Sequence, residues 1–272
     1  MAVRIQQLGD YGTSEPILAR LAIQFDKLME FHNISEAQRQ NIFQVMHSEV
    51  VPKLVVCSRI KEQLTSEIRS HQKQIDEKGL EFQAQGRAYT LPSVINLRHH
   101  AETFLYNAKS ALRDFTVVFK ILFSKDFKNE ARYDKVHKWA EVKFGSNDVF
   151  SKMLADDLPW IKRLIAMRNA IEHPEGFSGI LHVENFTSEE KDRTVFVIEP
   201  VWYLNSEKKI PLAHDMDVFV KNLLTFCEES LLLCLEKFPS KFPVGVTEIP
   251  EAERDPKCPI RFQISFTGQL PR

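Results

Sequence analysis

The sequence predicts a mainly α-helical protein carrying one small antiparallel β insert. Three observations lead there. Glycine is scarce, at 9 of 272 residues, while phenylalanine reaches 20; that balance suits packed helices better than turn-rich β structure. Apolar residues recur at three- and four-residue spacing over long stretches of the chain. Period-two alternation is concentrated between about 179 and 213.

Residues 1–91 read as an N-terminal helical extension. Ser14 and Pro16 suit the start of a helix over 14–31. Ser35 opens a second helix, with Gln38 in capping-box position. Pro52 predicts a kink or break near Val50–Val51. Beyond it Leu54, Cys57, Leu64, Ile68, His71 and Ile75 form a narrow stripe, suited to packing along a helix of this chain or of a partner. Gly79 ends that helix, and 80–92 suggests a short hairpin around Gln85-Gly86 or an extended loop.

Residues 92–238 form a second region of four main helices. Leu97 to Leu122 reads as one long amphipathic helix, and a shorter one lies around Tyr133–Phe144. A third starts at Asn147 or Asp148 and contains Pro159, which predicts a kink or two pieces. Asp156-Asp157 reads as a solvent-facing turn. ILHVENF and TVFVIEPVWYL read as strands separated by a charged turn, TSEEKDR, with KKIPLAH as a further short strand. The last helix is expected over about Asp215–Phe238, with Cys227 and Cys234 on its core face. Residues 239–272 read as an extended proline-rich tail, packed on the body or on a second subunit.

Bulk properties exclude some functions. The formal net charge is −1, so nucleic-acid contact requires a local patch. Lys120–Lys143 supplies one: seven cationic residues minus four acidic gives +3, with Lys135 and Lys138 as candidate substrate contacts. No apolar segment resembles a signal peptide or a membrane span, so a cytoplasmic protein without membrane contact is expected. Phosphate-loop, nucleophile-elbow and HExxH patterns are absent. No CxxC pair occurs, and His182 with Glu184 on one strand face lacks a third ligand. No metal and no cofactor is expected.

The stretch MRNAIEHPEG, Met167–Gly176, carries the chemistry. Arg168 and His173 are five apart, roughly 140° around an ideal helix. A residue before proline is driven from the helical region, so the helix should end at about Glu172, freeing His173 to approach Arg168. A helix C-terminus favours cationic histidine, by up to about 2 kcal/mol, which moves its pKa upward. Arginine offers forked donors for phosphate oxygens. An arginine, an amide and a titrating histidine suffice for metal-free phosphodiester cleavage. The alternative is an ordinary helix end, in which Glu172 pairs with Arg168 at i, i+4.

Arg168-Asn169, the run to Glu172, and His173 resemble the motif of the HEPN superfamily: an arginine, four to six residues beginning with a polar one, and a histidine. The resemblance covers roughly 92–238. It implies a four- to five-helix bundle with the motif closing the penultimate main helix. It also implies a metal-independent endoribonuclease, in which two motifs meet across a homodimer, in toxin–antitoxin or phage-defence settings with RNA, nucleotide, antitoxin or other protein partners. The alternative in the same family is a non-catalytic binding module. Arg168 and His173 then carry over as catalytic and Asn169 as supporting, with Glu172 a candidate substrate contact. Asn107, Lys109 and Arg113 on the preceding long helix are further residues able to face the motif.

Overall fold

The computed structural model describes residues 11–82, 89–128, 130–192 and 194–266. The fold is mainly α. Helices α1 (Pro16–Leu18) and α2 (Gln24–Met29) are joined by a π-helical turn over Ala19–Ile23. Helix α3 (Glu36–Val45) starts at the expected capping box: Ser35 Oγ accepts from the Gln38 amide, and Gln38 Oε1 accepts from the Ser35 amide. The interruption expected near Val50–Val51 is a change of helix type. A π-helical turn over Met46–Val50 leads directly into α4 (Val51–Lys78), where the proline occupies the second position. Proline lacks an amide hydrogen and crowds the carbonyl four residues back; the first turn of a new segment tolerates both. The α4 stripe Leu54, Cys57, Leu64 and Ile68 is buried within this chain.

The expected long helix is two. Helix α5 (Leu97–Phe115) stops at Thr116 and α6 (Val117–Phe123) follows. The cause is local: Thr116 Oγ1 donates to the Arg113 carbonyl at 2.7 Å, and its amide contacts the same carbonyl at 3.1 Å. Such back-bonding competes with the helical ladder. Helix α7 spans Tyr133–Phe144. Helix α8 (Val149–Glu172) contains Pro159 without ending there. Asp156-Asp157 therefore lies in a helix and not in a turn, and Asp157 accepts from Trp160 Nε1 at 2.7 Å. Helix α9 is Leu212–Leu235, beginning and ending about three residues before the expected positions.

Strands β1 (Glu81–Phe82) and β2 (Tyr89–Thr90) pair antiparallel; the expected Gln85-Gly86 turn lies outside the described residues. The β insert comprises β3 (Leu181–Glu184), β4 (Thr187–Lys191), β5 (Thr194–Ile198), β6 (Val201–Leu204) and β7 (Ile210–Pro211). They form two sheets, β3-β6-β7 and β4-β5, both antiparallel. TSEEK is thus a strand, where a turn was expected. Its charged side chains sit on a two-stranded ribbon with open faces, where burial does not oppose them. TVFVIEPVWYL splits at Glu199-Pro200, because proline cannot donate to a ladder. In the tail, β8 (Val244–Glu248) pairs with β9 (Phe262–Phe266).

The chain divides into two compact units. One is drawn from Met1–Pro52, Ala111–Ala155 and Leu224–Arg272, the other from Lys53–Ser110 and Asp156–Leu223. The first has an aromatic core, in which Phe119 lies 5.7–5.9 Å from the rings of Phe115, Phe127, Trp139 and Phe150. Its second feature is the fully buried Glu228, which accepts from Arg20 Nε at 3.1 Å, Gln24 Nε2 at 3.0 Å and Arg261 Nη1 at 3.3 Å. Gln24 Oε1 also receives the amides of Arg261 and Phe262. The proline-rich tail thereby docks on the first helices. The second unit centres on Trp202, fully buried against Phe104 and Phe219. Asp215 accepts from Trp202 Nε1 at 2.6 Å and from both Arg163 terminal nitrogens at 3.1 and 2.8 Å. Among the described residues no helix is long and apolar enough to cross a membrane.

Removing the Phe119 ring tests this packing. Phe119→Ala is expected to lose about 3–5 kcal/mol of unfolding free energy, measured by urea denaturation. A loss below about 1 kcal/mol would mean that the aromatic cluster is not the core of its unit.

Candidate functional site

All residues of the motif lie in the second unit, at the end of α8. The i, i+4 geometry of that helix puts Arg168 and Glu172 on one face, with Asn169 alongside. The facing surface comes from α5, where Tyr106 and Lys109 are three residues apart and likewise share a face.

The contacts form a closed polar cluster. Arg168 Nη2 donates to Glu172 Oε1 at 2.8 Å. Lys109 Nζ donates to Glu172 Oε2 at 3.2 Å and to Asn169 Oδ1 at 2.7 Å. The Arg168 guanidinium carbon lies 5.2 Å from the Tyr106 ring centroid. Arg168 is only 9% exposed, and its Nη1 is buried without a hydrogen-bond partner among the described residues. Buried donors are nearly always paired, so this guanidinium nitrogen is an exception within the cluster.

Burial acts to raise the Glu172 pKa. Hydrogen bonding and charge from Lys109 and Arg168 outweigh it, leaving the carboxyl below its ordinary value. Glu172 is therefore an anion across the neutral range, held between two cations.

His173 occupies the expected place. Its amide closes the helix on the Asn169 carbonyl at 2.9 Å, Pro174 follows, and the side chain is exposed. The loop beyond is tightly built. Glu175 has φ 61°, and the Gly176 amide donates to the His173 carbonyl at 2.9 Å. A Cβ on Gly176 would stand 2.9 Å from that carbonyl oxygen, so the position demands glycine. Gly179, at φ +79°, leaves space for Asn205, whose Oδ1 accepts from the Ile180 amide at 2.8 Å. Phe177, between the two glycines, is fully exposed.

The expected approach of His173 to Arg168 is not what the side chains do. Glu172 takes the guanidinium, as the ordinary helix-end alternative had it, because i, i+4 partners share a face and i, i+5 partners do not. Of the three further residues on α5, Lys109 joins the cluster, Asn107 Nδ2 bonds the Thr103 carbonyl in its own helix, and Arg113 pairs with Asp114. Lys135 and Lys138 belong to α7 in the other unit, where Lys135 pairs with Glu130 at 3.2 Å. Two more of the patch cations, Lys120 and Arg132, pair with Asp126 and Asp134.

Sequence reasoning missed Tyr106. The available signal was its three-residue offset from Lys109 on the flank of an apolar stripe, where aromatic and cationic side chains meet a neighbouring helix. A polar cluster elsewhere in this unit is internally paired. Glu184 accepts from Tyr203 Oη and Lys209 Nζ, both at 2.6 Å, while His182 stacks on Tyr203. Cavities of about 610 and 760 Å³ along α4 are lined by no motif residue. Among the described residues no three His, Cys, Asp or Glu side chains cluster as a metal site.

The Glu172 shift fixes a sign. Its folded pKa lies below the unfolded value, so its contribution to stability is complete above the unfolded pKa and is lost as pH falls through the folded one. A ¹³C NMR titration of the Glu172 carboxyl should give a midpoint below the free value of about 4.3. In Lys109→Gln the midpoint should rise; an unchanged midpoint would separate Lys109 from the carboxylate. Searches against family models, curated proteins and solved structures give no match for this chain, so the reading of the site rests on its own geometry.

Proposed function

We propose that the chain is a metal-independent endoribonuclease of HEPN type, with a HEPN-like helical bundle over 92–238 and Arg168–His173 as its motif. One observation supports this most. An exposed histidine follows directly on the last turn of the helix whose Arg168, Asn169 and Glu172 form a polar cluster with Lys109 of a second helix. In such a reaction the ribose 2′-hydroxyl attacks phosphorus and the 5′-oxygen leaves. The products carry a 2′,3′-cyclic phosphate and a 5′-hydroxyl. His173 moves the proton at the attacking or the leaving oxygen, and Arg168 neutralises charge on the non-bridging oxygens. A homodimer brings two histidines to one phosphate, so that one acts as base and the other as acid.

The second reading, a non-catalytic module binding RNA, a nucleotide or a protein, has its own support. Arg168 is largely buried and already neutralised by Glu172. Toxin–antitoxin or defence roles belong to either reading.

The deciding experiment is RNA cleavage in EDTA by wild type and by His173→Ala. Wild type should cut and leave cyclic phosphate ends, and the variant should lose at least about 100-fold in rate. Cleavage by neither protein, across several RNAs, favours the binding module. Equal cleavage by both would remove His173 from the chemistry.

A further inference from the structure

The Arg168–Glu172–Lys109 contact has a shape of its own. One carboxylate spans two cations from two helices, one oxygen to each: Oε1 to Arg168 at 2.8 Å and Oε2 to Lys109 at 3.2 Å. Two non-bridging phosphate oxygens present the same pair of acceptors at similar spacing. The carboxylate leaves one donor over: Nη1 of the 91%-buried Arg168 has no acceptor among the described residues. Glu172 sits on the same helix as Arg168 and reaches it through one nitrogen only. A group arriving from outside the helix is free of that tether.

Glu172 is also the most exposed member of the three. Its side chain is 40% exposed, against 10% for Arg168 and 28% for Lys109. It lies in the last turn of α8, just before the chain leaves the helix at Pro174. Partly exposed ion pairs of this kind are weak and exchange readily. Arg168, by contrast, is fixed by burial and by the Tyr106 ring.

We propose that Glu172 is a built-in occupant of a phosphate subsite made by Arg168 and Lys109, and that an RNA phosphate binds by displacing it. Lys109 is then a phosphate-binding residue, and Glu172 sets the affinity by competing for both cations. The inference rests on the proposed RNA-directed role of this site, but it concerns binding and not cleavage.

The test uses the full chain and a fluorescein-labelled 2′-O-methyl RNA 12-mer, which has no 2′-hydroxyl to attack. Binding is read by fluorescence anisotropy at fixed ionic strength. Glu172→Gln and Glu172→Ala should each bind at least about fivefold tighter than wild type, and Lys109→Gln at least about fivefold weaker. Glu190→Gln, the same charge change at an exposed strand position, should match wild type. Melting curves confirm that the variants are folded. Unchanged or weaker binding by both Glu172 variants overturns the proposal. So does an equal gain in Glu190→Gln, which would reflect net charge, or no binding by any of the proteins. Failure of RNA cleavage with tighter Glu172→Gln binding leaves this inference standing and removes only the nuclease. Cleavage with unaltered Glu172→Gln binding does the reverse.

Discussion

The second unit is organised around the carboxylate of Asp215. It is 7% exposed, and an unpartnered charge there would carry a heavy desolvation penalty. Arg163 meets it with both terminal nitrogens and Trp202 adds its indole N–H. Those three residues come from α9, α8 and β6. Satisfying one buried charge therefore sets the rotation of α8, the depth of β6 and the start of α9 together. With Arg163 turned to Asp215, Leu164 and Met167 are fully buried. The last turn of α8 then presents Arg168, Asn169 and Glu172 to Lys109 of α5. The site is a consequence of how that helix is pinned one and a half turns earlier.

The first unit solves a comparable problem with Glu228, whose burial is balanced by Arg20, Gln24 and Arg261. There the outcome is attachment of a terminal segment. Gln24 closes the arrangement by accepting two tail amides, so directed polar contacts help to hold that segment. Each unit thus uses one buried carboxylate as the point on which separate segments converge, and each surrounds it with donors enough to satisfy it.

Much of the fold was legible because helices announce themselves locally. Ser35 and Gln38 predicted their reciprocal cap, and Pro174 predicted the end of α8 at Glu172. The failures came where a local signal was overridden. Pro52 did mark a change of helix type at Val50–Val51, but its π-helical form is displayed by no periodicity. Thr116 broke a helix through a side-chain bond to Arg113 that apolar spacing cannot report. TSEEK became a strand because its partner TVFVI pairs with it residue by residue, and its charges face outward. At the site, the motif residues were readable from type and spacing. The partner on α5 was not, since choosing Lys109 over Asn107 or Arg113 requires the tertiary rotation that Asp215 sets. The competing pair of Arg168 and Glu172 was readable, and helix geometry alone favours it over Arg168 and His173.

The central claim is that Arg168 and Lys109 form a phosphate-binding pair occupied in the free protein by Glu172. The most direct measurement is a crystal structure of the protein with a 2′-O-methyl dinucleotide. The account predicts the phosphate on the Arg168 and Lys109 nitrogens, the Glu172 carboxylate turned away, and His173 beside a bridging oxygen. A dinucleotide bound elsewhere, with the Arg168–Glu172–Lys109 contacts unchanged, would contradict it.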